Sequence, residues 1–99
     1  MNAAAVASIL SDVVDPELGI DIVALGLVYG IDIDAETIRV EMAMTSPDCP
    51  MADSIVRAAA SRLAQAADGR ELSFAVVDAP EWSIAMADQN AWRKLGLVR

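Results

Sequence analysis

Apolar residues recur along this chain with two different periods, and the switches between them mark the elements. Val6, Ile9, Leu10, Val13 and Val14 fall three and four residues apart, one face of a short amphipathic helix. Asn2 is placed to cap its start. The helix is expected to run to Asp15-Pro16, because a residue before proline is pushed out of the helical region. Asp15 to Ile22 then reads as a loop in which Gly19 is free to take a positive φ.

The period next falls to two. Leu27, Tyr29, Ile31 and Ile33 alternate with Val28, Gly30 and Asp32, which predicts a strand. Asp34-Ala35-Glu36 forms a turn, and Ile38, Val40, Met42 and Met44 then alternate with Thr37, Arg39, Glu41 and Ala43. This second strand has the cleanest apolar and charged faces in the chain. So short a connection predicts an antiparallel hairpin.

After Pro50 the helical period returns, with Ala52, Ile55, Val56, Ala59, Leu63 and Ala66 on one side and Gly69 suited to the helix end. Leu72, Phe74 and Val76 predict a third strand, Asp78-Ala79-Pro80-Glu81-Trp82 leaves the sheet, and Asp88 to Leu95 predicts a last short helix ended by Gly96. The order is helix, strand, strand, helix, strand, then a C-terminal segment. The expected fold class is α+β: one small domain over residues 1–99, with helices packed on one face of a small mixed sheet. Ninety-nine residues suffice for one hydrophobic core and not for two.

Charge narrows the partners. The net charge is −8, from fifteen acids against seven bases, which opposes phosphate backbones. No basic stripe offsets it, so nucleic acid is not an expected partner. The apolar runs are interrupted well before the ~18 residues a membrane span needs. The start Met1-Asn2-Ala3-Ala4-Ala5-Val6 lacks the positive charge of a signal peptide, so a reducing cytoplasm is the expected location.

Candidate chemistry centres on Cys49, the single cysteine, within Thr45-Ser46-Pro47-Asp48-Cys49-Pro50. Pro50 suits the first helical position, which puts Cys49 at or just before the helix N-cap. There the helix dipole and unpaired N–H groups favour a thiolate, while Asp48 and Asp53 oppose it. The plainer alternative is a small buried hydrophobe. Asp15 and Glu17 offer hard oxygen ligands around Pro16, or simply a helix stop and turn. Trp82 reads either as a binding anchor or as a plug closing one end of the core.

Absences exclude several classes. There is no histidine, and so no Ser-His-Asp set and no evident general base for a thiol enzyme. No phosphate-cradling glycine loop follows a strand into a helix. A four-cysteine iron–sulfur site needs ligands from a second subunit, a partner or a small thiol.

The order Asp15-Pro16-Glu17-Leu18, Ile20-Asp21-Ile22-Val23-Ala24-Leu25-Gly26-Leu27-Val28-Tyr29, Met44-Thr45-Ser46-Pro47-Asp48-Cys49-Pro50, Pro80-Glu81-Trp82 and Leu95-Gly96-Leu97 resembles the small iron–sulfur assembly domain shared by SufT and PaaD. The resemblance covers nearly the whole chain. It departs at Ala24, Asp48 and Glu81, where the family often has an acid, a glycine and a proline. The chain ends at Arg99 without the cysteine-rich part of PaaD-like members, which favours the SufT-like form.

The resemblance implies an accessory role in iron–sulfur cluster assembly or in maturing iron–sulfur proteins, without enzymatic turnover. It implies Cys49 as the functional thiol and transient ligand of iron or a cluster, with Thr45, Asp15 and Glu17 around it. The implied partners are iron–sulfur assembly proteins and apo client proteins, and a homodimer would supply a second cysteine to a shared cluster. A metal-free adaptor for an assembly complex or client, including a PaaD-like role in oxygenase maturation, is the alternative.

Overall fold

The computed structural model describes residues 1–46 and 50–96. Helix α1 spans Ala3–Leu10 and is followed by two minimal strands, β1 (Val14–Asp15) and β2 (Ile20–Asp21). The main sheet holds β3 (Val28–Ile33), β4 (Thr37–Met42) and β5 (Glu71–Val76), with α2 (Ala52–Ala64) between β4 and β5. A 3-10 turn at Ile84–Met86 and α3 (Gln89–Lys94) complete the chain.

Strand β4 is central: it pairs antiparallel with β3 and parallel with β5, so the sheet is mixed as expected. The register stacks apolar residues in rows across one face. Ile33, Ile38 and Leu72 form one row, Ile31, Val40 and Phe74 the next. Ile38, Val40 and Met42 are buried, while Arg39 and Glu41, pointing the other way, are exposed. α1 packs on α2 and β3, and α2 packs on β5. The buried side of α2 is Ile55, Ala59 and Leu63, each large side chain contributing about 2–3 kcal/mol by leaving water.

The first helix is shorter than its periodicity predicts. It stops at Leu10 because the following residues find β partners: Val13 O accepts from Ile22 N at 2.9 Å, and Val14 and Asp15 pair with Asp21 and Ile20. Val14 is accordingly exposed rather than part of the core face. The Asp15–Ile22 loop is therefore a small hairpin, with Gly19 at φ +70° in its turn. The second strand ends at Met42, two residues early, although Ala43 and Met44 remain buried.

Helix α2 also begins later than predicted. Its N-cap is Met51, and its first backbone bond runs from Ile55 N to Met51 O. Pro50 thus precedes the cap instead of taking the first helical position expected of it. Asn2 and Asp88 do cap α1 and α3, accepting from Ala5 N and Ala91 N.

Candidate functional site

A cavity of about 330 Å³ opens where β4, α2 and β5 meet at one end of the sheet. Met44, Thr45 and Ser46 line it from the end of β4, and Ala52 from the start of α2. Val76, Val77 and Asp78 line it from the end of β5, with Glu81 and Trp82 beyond. A parallel β4–α2–β5 crossover places both strand C-terminal ends on the same edge, which is why segments far apart in sequence converge here.

The predicted thiol, Cys49, lies outside the described residues, as do Pro47 and Asp48. The cavity is lined by residues on both sides of it in the chain, Thr45 and Ser46 before and Ala52 after. The charged residues that line it, Asp78 and Glu81, are both acidic.

The other predicted residues fall in different places. Thr45 is half-buried in the cavity wall. Asp15 and Glu17 are not among the described residues that line it. Glu17 is exposed, and its N–H donates to Asp15 Oδ1 at 2.9 Å, while Asp15 O accepts from Gly19 N at 2.8 Å. Asp15 therefore does make the turn that its position beside Pro16 suggests. Yet it is fully buried (0% exposed), and its Oδ2 has no hydrogen-bond partner among the described residues. A buried oxygen left in that state costs about 1–3 kcal/mol, so local folding does not account for it.

Trp82 packs as the core plug, one of its two expected readings. Its ring packs against the core and also walls the cavity. Its Nε1 donates to Leu25 O at 2.6 Å. The same two segments are joined again by Tyr29 Oη donating to Pro80 O at 2.8 Å and by Asp88 N donating to Ala24 O at 2.8 Å. Gly26, at φ +76°, lies so close to Met86 that a Cβ would fall against the Met86 carbonyl, 2.9 Å from its carbon. The Leu25-Gly26-Leu27-Val28-Tyr29 stretch is thus the seat on which the C-terminal segment is clasped. Val76, Val77 and Asp78 join the site without being among its candidates in the sequence. The signal available was the loss of charge at the end of β5 just before the Pro80-Glu81-Trp82 segment.

Among the described residues, no three of Asp, Glu, Cys and His converge to hold a metal ion, and no helix is long and apolar enough to cross a membrane.

Residues 3–73 match the family described as iron-sulfur cluster assembly protein. The Fe-S protein maturation auxiliary factor SufT of Staphylococcus aureus (strain USA300) is 40% identical over 86 residues, covering 86% of this chain and 98% of that protein. The Fe-S protein maturation auxiliary factor YitW of Bacillus subtilis (strain 168) is 38% identical over 89 residues, 89% of this chain and 87% of that one. Among solved structures, the crystal structure of a domain of unknown function, DUF59, from Bacillus anthracis superposes with a TM-score of 0.89 at 37% identity, over 96% of this chain and 92% of that one. With a family match over most of its length and relatives of this closeness, the chain belongs to the iron-sulfur cluster assembly protein family.

Proposed function

We propose that this protein is an auxiliary factor in the maturation of iron–sulfur proteins, and that Cys49 holds iron or a cluster transiently as cargo. The relatives named as maturation auxiliary factors support the role. The observation that carries the assignment to Cys49 is that Thr45, Ser46 and Ala52, on either side of it in the chain, all line one cavity. A thiolate is the soft ligand that iron takes, and the remaining ligands would come from an assembly protein, an apo client, a small thiol or a second copy.

Thr45 supplies a hydroxyl in the wall of that cavity. Asp15 offers a buried carboxyl oxygen that has no hydrogen-bond partner among the described residues, a group that costs stability and so is open to a functional use. Glu17 fixes Asp15 through its backbone N–H and not through its own carboxylate. The protein acts by carrying and presenting, without turnover of its own, and a reducing cytoplasm would keep its thiol free.

The test is made in cells that depend on this chain. Cys49→Ser is expected to lower the activity of cluster-dependent client enzymes while their protein levels hold. Full client activity with the serine variant would remove Cys49 from the role and favour a metal-free adaptor.

A further inference from the structure

Strand β5 forms one edge of the main sheet and leaves its outer side unpaired among the described residues. Val77 N donates to Met42 O and Glu71 N to Glu36 O, so odd-numbered residues of β5 face β4. Leu72, Phe74 and Val76 therefore turn their backbone N–H and C=O groups outward. Proteins usually protect such an edge with charge, proline or a bulge. The opposite edge, β3, carries a register shift between Val28 and Gly30 and a charged Asp32. β5 has no such device: its one charge is Glu71 at its start, and Val76 stands 51% exposed at its end. The open edge runs directly into the cavity, where Val76, Val77 and Trp82 form an apolar wall and Asp78 and Glu81 supply the charge.

We propose that the β5 edge and this cavity together receive an extended, basic segment of a client protein, added as a fourth strand with an apolar side chain seated against Val76 and Trp82. Backbone pairing supplies the affinity, and the cavity and its acids supply the choice of sequence. Charge decides the occupant. A segment rich in Lys and Arg meets Asp78 and Glu81 and a chain of net charge −8 favourably. A second copy would bring the same −8, and its Arg70 is already committed to the carbonyls of Asp34 and Ala67. That the partner is a client rests on the maturation role proposed above; the edge and its charge preference do not.

The test uses the full chain, isotopically labelled, with a capped octapeptide alternating lysine and valine and a matching peptide alternating glutamate and valine. The lysine peptide is expected to slow hydrogen exchange at the amides of Leu72, Phe74 and Val76, and the glutamate peptide to leave them unchanged. Val76→Pro removes an outward N–H while sparing the β4 ladder, and is expected to weaken binding about tenfold. Asp78→Lys with Glu81→Lys, which leaves the strand backbone intact, is expected to weaken it as much and to abolish its salt dependence. Equal binding of the two peptides overturns the proposal. So does an absence of protection at the three amides with either peptide, or a free chain that sediments as a dimer with those amides already protected. Iron uptake measured on the same samples separates the two claims. Peptide protection without iron uptake by the wild type sinks the metal role and leaves the docking edge standing; the reverse does the opposite.

Discussion

The indole Nε1 of Trp82 donates to the carbonyl oxygen of Leu25 at 2.6 Å, tying a wall of the cavity to the turn that precedes β3 across 57 residues of sequence. The bond makes Trp82 part of the frame as well as the site. Trp82→Phe keeps most of the ring and leaves the Leu25 carbonyl without this donor, so it is expected to cost about 1–3 kcal/mol. Trp82→Ala, which also empties the wall, is expected to cost about 3–5 kcal/mol. Urea unfolding followed by circular dichroism measures both. Equal stability of the wild type and Trp82→Phe would show that the bond carries nothing.

Gly26 and Gly19 form a matched pair. Both have φ near +70°, but a Cβ at Gly26 meets the Met86 backbone, while one at Gly19 has nothing within 4 Å. Gly19→Ala is therefore expected to cost about 1 kcal/mol, the conformational strain alone. Gly26→Ala must in addition push the C-terminal segment off its seat, and is expected to cost at least about 2 kcal/mol more. Thermal unfolding of the two variants gives the comparison directly.

A pH dependence is expected at the β3–β4 turn. Asp34 Oδ1 accepts from Glu36 N at 2.8 Å and Thr37 N at 2.7 Å, and Oδ2 accepts from Thr37 Oγ1 at 3.0 Å. These bonds, the one to the Glu36 N–H foremost, hold its carboxyl below the ordinary aspartate value. Because the folded-state pKa is depressed, the stabilisation is present above the unfolded value and is lost as pH falls through the folded one. Asp34→Ala is thus expected to lower the melting temperature at neutral pH, with the gap to the wild type closing in acid below the carboxylate range. A gap that persists unchanged there contradicts the assignment.

Asp15 is expected to trade stability against function. Asp15→Asn keeps an oxygen to accept from Glu17 N and removes a buried carboxyl group whose Oδ2 has no partner among the described residues. The free variant is expected to be at least as stable as the wild type and to mature clients less well. Denaturant midpoints and client activity, measured together, test this. A variant both destabilised and fully active would assign Asp15 to the turn alone.

Where the pattern is local, the fold was legible. Ile38, Val40 and Met42 announce a half-buried strand, and Ile55, Ala59 and Leu63 a helix face, because each set has one period and one buried side. Val13 and Val14 continue the spacing of α1 but are claimed by β partners nine and seven residues ahead, a tertiary choice that periodicity does not encode. Pro50 marked the start of α2 to within two residues. At the site, Thr45 and Trp82 stood out by type and position. Val76 and Asp78 did not, because they become a cavity wall only when the crossover brings β5 beside β4. The clasp of residues 80–88 on residues 24–29 leaves little local signature. The tight Gly26 and the single Tyr29 are its only traces in the sequence.

The most direct measurement is anaerobic reconstitution of the purified chain with ferrous iron and sulfide, reading bound iron and the visible absorption of the wild type beside Cys49→Ser. The account predicts iron bound by the wild type and lost with the serine variant, whose fold and melting temperature stay the same. Equal uptake by the two proteins, or none by either, would contradict it.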